Sequence, residues 1–292
     1  MDAPVDPATL DVPRAGETPA DCLARIDALA ERRRVSFGDG EMVWRIWGEG
    51  RPLVLLHGGY GAWSHWVRNV LPLAAHRRVV VADLPSHGDS DRAPGRPTRD
   101  DIADMMARSL GGILRANEKY DLVGFSMGAN LSAAAVAAYG RMPENLVVVG
   151  TGGLGIPSQR ISGLLRWRPD MPRAELDERH RNNLGIIMIH DRSRIDDLAV
   201  HIQRENGLRM RYRMKRTGAT TSLRDFLPQV DTRLSCIWGE YDVYAAGNRE
   251  ERIGVMRRTH PDLRVSIIDD AAHWVMYERP SAFNESLLRL LD

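Results

Sequence analysis

The chain has 292 residues, 43% of them hydrophobic and 27% charged, with 40 basic and 39 acidic side chains. That is an ordinary globular composition, and a net charge near zero supplies no field to draw in nucleic acid or an anionic membrane. The two cysteines, Cys22 and Cys236, lie far apart and show no disulfide framework or zinc-ligand spacing, and the longest apolar run, "AAAVAAY", is too short to span a bilayer.

Residues 1–19 carry four prolines and read as a loose arm without the basic and apolar regions of a secretory signal, so a cytoplasmic protein is expected. Residues 20–34, "ADCLARIDALAERRR", place Leu23, Ile26, Leu29 and Ala30 at helical spacing and predict a helix. "VSF" and "MVWRIW" flank "GDG", which predicts a hairpin. The continuous apolar run "PLVLLH" reads as a strand buried on both faces, as in a parallel sheet. "HRRVVVADLP" gives the next strand. Residues 98–117 open on Thr98 and two acidic residues, a helix start. "YDLVGFS" is a strand, "MGANLSAAAVAAYG" a helix closed by Gly140, and "ENLVVVG" a further strand. This alternation predicts a mostly parallel sheet with helices on both faces.

The alternation stops near Gly150. Residues 151–229 hold helical stretches and no clear strand; "RSRIDDLAVHIQREN" sets Ile195, Leu198, Ala199 and Ile202 on one face. "LSCIWG" and "LRVSIID" resume the strands, and "PSAFNESLLRLL" closes with an amphipathic helix that has proline first. The division expected is an arm and helix over 1–34, an α/β core over 35–150 and 230–292, and a helical insertion over 151–229.

Four loops carry candidate chemistry. Gly124-Phe125-Ser126-Met127-Gly128 joins a strand to a helix, so Ser126 sits on a sharp reversal at the positive end of a helix dipole. A serine hydroxyl is a weak nucleophile unless a base takes its proton and a carboxylate orients that base. Asp242 in "EYDVY" and His273 in "DAAHWVMY" each follow a strand, and parallel strands deliver such loops to one edge of the sheet. His260 precedes its strand and points to the other edge; Glu240 and Asp270 are rival acids. "LVLLHGGYGAW" ends a strand in glycines whose amides can turn inward. The Gly59 and Met127 amides are assigned to the oxyanion, with Tyr60 as neighbour and His57 as a brace. Trp44, Trp47 and Trp238 read as core, and Trp63 and Trp66 as core or pocket wall. Met105, Met106, Met210 and Met214 read as packing residues, and His180, His190 and His201 are not spaced to hold a metal.

"HGGYGAW", "DLPSHGDSD", "GFSMG", "WGEYD" and "AAHWVMYERPSAFN" resemble the α/β-hydrolase superfamily, in that family's order, over about residues 35–150 and 230–292. The resemblance implies a twisted, mostly parallel sheet flanked by helices, with residues 151–229 as a helical cap over the site. It implies a serine hydrolase with the triad Ser126, Asp242 and His273, acting on a small carbonyl substrate without metal or organic cofactor. "TGGLG" after "ENLVVVG" offers no carboxylate where some relatives keep their acid, which leaves Asp242. "HWVMYERPSAFN" is similar to hydrolases of ring-cleavage products, which break a C–C bond, and to small carboxylesterases. On that likeness Tyr60, Trp63, Phe125 and Trp274 would line the substrate, and Arg204 would hold a substrate carboxylate. Phe125 stands where the C–C hydrolases usually have Asn, and "GYGA" where they usually have "GPGA". The expected partner is a small-molecule substrate, with a homo-oligomer allowed and no nucleic acid or integral membrane segment. The rival from another class is a ligand receptor on the same scaffold.

Overall fold

The computed structural model describes residues 12–212 and 220–292; Met214 and most of the N-terminal arm lie outside them. Eight strands form one sheet: β1 (Glu31–Ser36), β2 (Glu41–Trp47), β3 (Pro52–Leu56), β4 (Arg78–Ala82), β5 (Asp121–Phe125), β6 (Asn145–Val149), β7 (Arg233–Gly239) and β8 (Arg264–Ile268). Their order is β1-β2-β4-β3-β5-β6-β7-β8. The hairpin β1–β2 and the pair β2–β4 are antiparallel, and every pair from β4 to β8 is parallel.

Strand alternation sends neighbouring side chains to opposite faces, and here both faces are covered. Val54 and Leu56 join one core with Val80, Leu122 and Val148, under α3 (Arg99–Gly111) and α4 (Met127–Tyr139). Leu53 and Leu55 join the other with Val79, Val123 and Val147. That second core is closed by α1 (Pro19–Ala28), α2 (Val70–Ala74), α8 (Val275–Glu278) and α9 (Pro280–Leu291). The continuous apolar strands follow from this double burial. A capping box starts α3, with Thr98 and Asp101 exchanging side-chain and backbone hydrogen bonds. Gly140 ends α4 in the left-handed region. α7 (Arg249–Arg257) links β7 to β8.

Two local expectations need correction. The first helix stops at Ala28, and Glu31–Arg34 are strand β1. Pairing with β2 decides this segment, and its arginines face solvent along the sheet edge, where charge blunts edge-to-edge association. Leu29, placed on the apolar helix face, is 60% exposed at the helix end. Ile195 precedes its helix, which begins at Asp197, but is buried with Leu198, Ala199 and Ile202 as the pattern required.

Between β6 and β7 lie α5 (Arg173–Ile187), α6 (Asp197–Arg209) and short 3₁₀ turns, with no strand among the described residues. Before α5 the chain runs irregularly over that helix, held by side chains: Asn183 bonds Leu165 N and O at 2.8 Å each, and Arg179 Nη1 donates to Arg166 O. Among the described residues no helix is long and apolar enough to cross a membrane.

Candidate active site

Chain order reverses around β3, which lies between β4 and β5, and the carboxyl ends of strands at such a switch point are where open α/β sheets bind their ligands. Ser126 stands there, between β5 and α4, with φ 51° and ψ −107°. That conformation costs about 1–3 kcal/mol for a side-chain-bearing residue and is held by its surroundings. The Ser126 amide donates to Val149 O at 2.8 Å, and its carbonyl accepts from Asn130 N at 3.1 Å. The flanking glycines are required by close backbone approach. A Cβ on Gly124 would lie 2.6 Å from Ala129 N, and one on Gly128 2.7 Å from the Leu56 and His57 carbonyl oxygens. The Ser126 hydroxyl does not cap α4, and the Met127 amide opens the helix with no partner inside it.

His273 and Asp242 meet at the tip of β6. His273 Nδ1 lies 2.8 Å from Asp242 Oδ2, and Asp242 Oδ1 accepts from Tyr244 N at 2.9 Å. Both side chains are buried. A carboxylate on Nδ1 takes that nitrogen's proton as donor and leaves Nε2 with its lone pair, the tautomer a general base needs. The ring packs on Phe125 at 4.9 Å between centroids and on Tyr244 at 4.6 Å. Gly150 closes the arrangement from β6: a Cβ there would fall 2.9 Å from the imidazole and 3.3 Å from Asp242 Oδ2. The Ser126 backbone bonds the residue before Gly150, and His273 packs against Gly150 itself and against Phe125, so the three residues lie at one edge of the sheet.

The loop after β3 is braced by His57. Leu84 N donates to His57 Nε2 at 3.0 Å, so Nδ1 carries the proton and donates to Gly58 O at 2.8 Å. Burial drives this imidazole well below its usual range, helped by His87 beside it. Beyond it Gly59 is exposed, and Tyr60, half-buried at φ 55°, sets its ring 6.3 Å from Trp167 of the insertion.

Residues 53–286 match the alpha/beta hydrolase family. The chain belongs to that family. A dihydrolipoyllysine-residue acetyltransferase component of an acetoin cleaving system from Pseudomonas putida is 27% identical over 83% of this chain. The match spans 64% of that longer protein. A 2-hydroxy-6-oxononadienedioate/2-hydroxy-6-oxononatrienedioate hydrolase from Paraburkholderia phymatum is 28% identical over 82% of this chain and 86% of its own length. Among solved structures, the naproxen esterase of Bacillus subtilis superposes with a TM-score of 0.70 at 16% identity, over 94% of this chain and 97% of that one, a likeness of fold.

The other predicted site residues of this hydrolase are placed as follows. Phe125 lies under the His273 ring and Tyr60 on the glycine loop, both at the site edge. Trp274 is fully buried, stacks on Tyr277 at 4.1 Å and donates from Nε1 to His65 O at 2.9 Å; it supports the histidine loop and presents no open face to a substrate. Trp63 packs on Trp47 at 5.6 Å, with the Arg45 guanidinium 5.1 Å from its ring. Arg204 is buried and engaged by Asp177, Glu205 and His201, so its charge is already balanced. Trp44, Trp47, Trp66 and Trp238 are core residues. His260 bonds Val230 O at 2.9 Å, away from the site. Glu240 is exposed and accepts from Asp270 N at 3.1 Å.

Two neighbours of the site carried no signal in the sequence. His65 sits between Phe125 (5.7 Å) and Trp274 (5.1 Å), and its Nε2 lies 3.4 Å from Gln203 Nε2 of α6. Burial, then the charges of His273 and His87, holds it down to about 3. In the sequence Gly150 marks only the end of a strand. Nothing local marks either residue, because their partners lie far along the chain.

Proposed function

We propose that this hydrolase cleaves a small carbonyl substrate through Ser126, His273 and Asp242. The observation that carries the reading is the buried Asp242–His273 pair at 2.8 Å, packed against Gly150 and Phe125 beside the strained Ser126. Ser126 Oγ attacks the carbonyl carbon while its proton passes to His273 Nε2. Asp242 keeps the imidazole in register and stabilises the imidazolium. The oxyanion is held by the Gly59 and Met127 amides. The imidazolium then protonates the leaving alkoxide. Water, losing its proton to His273, attacks the acyl-enzyme and releases the acid and Ser126.

The carboxylic ester is the substrate class favoured, because Arg204, the residue expected to hold a substrate carboxylate, is engaged by Asp177 and Glu205. The relative from Paraburkholderia phymatum supports the second reading, cleavage of a C–C bond in a ring-cleavage product. There His273 would first move a proton to convert the dienol to the ketone. The described part of the insertion, residues 151–212 and 220–229, acts as a cap over the site; Trp167 beside Tyr60 and Gln203 beside His65 support this. The reading goes with a cytoplasmic enzyme, and the two cysteines are free and buried. Neither route needs a metal or organic cofactor.

Ser126→Ala is expected to lower turnover of short p-nitrophenyl esters by about 10⁶-fold while circular dichroism shows a folded protein. Persistent turnover refutes the nucleophile. Assaying esters beside a coloured ring-cleavage dienoate decides the substrate class. Slow turnover of both, with tight small-molecule binding, would make the chain a receptor.

A further inference from the structure

We propose that Glu278 is a positioning residue for His273, tying the histidine loop to the Met188–Asp191 segment of the cap. The proposal rests on His273 being the base of the triad. Glu278 ends α8 and is fully buried. Its carboxylate accepts three backbone N–H groups: Ala272 N (2.8 Å) and His190 N (3.0 Å) on Oε2, and Asp191 N (2.8 Å) on Oε1. A buried carboxylate is tolerated where several donors satisfy it, and its bonds to N–H are stronger than neutral ones.

These donors are placed around the base. Ala272 precedes His273 in the chain. Trp274 follows it, and its amide donates to Met188 O at 2.8 Å. Both neighbours of the histidine are therefore fastened to the same four residues of the cap, one through Glu278 and one directly. The same stretch reaches the acid. The His190 ring stacks on Tyr241 at 3.8 Å and 10° between planes, and Tyr241 precedes Asp242. The Tyr241 amide in turn donates to Ala271 O at 2.8 Å. On the cap side Ile189 is buried, and Arg194 Nη1 donates to Glu278 O at 3.2 Å.

The direction of the His273 ring follows from the backbone at 272–274, and a base must stand within hydrogen-bond reach of the proton it takes. Glu278 touches no reacting atom in this scheme. It acts through the loop it holds. An amide in its place offers one acceptor oxygen for three donors and sets its own NH₂ against at least one N–H.

The test compares Glu278→Gln with the parent on a p-nitrophenyl ester, per folded molecule, and records the downfield Nδ1–H resonance of His273 in the Ser126→Ala background. The expected result is a fall in kcat of about tenfold or more with KM changed about twofold or less, together with a shifted or broadened His273 resonance. Asp191→Pro is the milder variant. Asp191 has φ −78°, which proline tolerates; the change removes one donor from Oε1, and with it the carboxylate that accepts from Ser193 N and pairs with Arg194, so Asp191→Ala, which keeps the donor and loses the same carboxylate, is its control. Asp191→Pro is expected to lower kcat in the same direction by about threefold. A lower melting temperature with kcat and the resonance unchanged in both variants overturns the proposal and leaves Glu278 a structural residue. Turnover surviving in Ser126→Ala overturns the triad reading itself, and that result involves no change at Glu278.

Discussion

His57 and His273 are two buried histidines in loops at the same edge of the sheet, one directly after β3 and one in the loop beyond β8. His57 has both nitrogens committed to backbone, one to Leu84 N and one to Gly58 O. His273 has a carboxylate on Nδ1 and no hydrogen bond from Nε2 to a described residue. The first arrangement fixes a tautomer and spends it on holding a loop. The second fixes the same kind of tautomer and leaves the basic nitrogen for other work. The partner on each nitrogen, and not burial alone, separates a bracing histidine from a candidate base.

This contrast is open to direct tests. His273→Ala is expected to lower ester turnover by about 10⁶-fold, as removal of a triad base does, with a thermal midpoint near that of the parent. Gly150→Ala brings a methyl group to 2.9 Å from the imidazole and forces a residue with φ 56° out of comfort. A displacement of about 1 Å there costs about 10²-fold in kcat, and parental kcat would show that the ring position is not critical. His57→Ala is expected to cost about 2–4 kcal/mol in denaturant titrations, since it strands Leu84 N and opens a cavity, while the folded fraction keeps kcat within about tenfold. A last test, read on stability and not on turnover, is acid sensitivity. His65 is held to about 3 from 6.5, and His180 to about 4, both by burial first. A depressed histidine binds its proton in the unfolded chain before the folded one. The stability it confers is therefore complete above pH 6.5 and lost as pH falls from there toward the folded value. Each such histidine contributes a slope of about 1.4 kcal/mol per pH unit in that window. Unfolding midpoints that stay level from pH 6.5 to pH 4 would show that these rings are not buried as neutral groups.

The sheet was legible because its strands are short apolar runs in regular alternation with helices, and the elbow at Ser126 because strand, turn and helix adjoin within a dozen residues. Asp242 and His273 could be placed from their strands alone. Glu31–Arg34 is a charged run that carries no period, and only its pairing with β2 makes it a strand. The aromatic and cationic residues around the site were harder. Trp274 is committed by His65, 209 residues away, and Arg204 by Asp177, 27 residues away. The type of a side chain states what it can bind, and distant parts of the chain decide what it does bind. Glu278 shows the same limit, since its three donors come from two separate loops.

The place of the insertion between β6 and β7 has a consequence for biosynthesis. β6, "NLVVV", is wholly buried in the finished sheet, and its outer edge is covered by β7. β7 begins at Arg233, more than eighty residues after β6 ends at Val149. At ribosomal rates of about 5–20 residues per second, the nascent sheet carries a bare apolar edge for on the order of ten seconds before its covering strand is made. Such an edge is a template for pairing with another chain. Yield from rapid expression is therefore expected to depend on how the emerging insertion, or a chaperone, shields β6 during that interval.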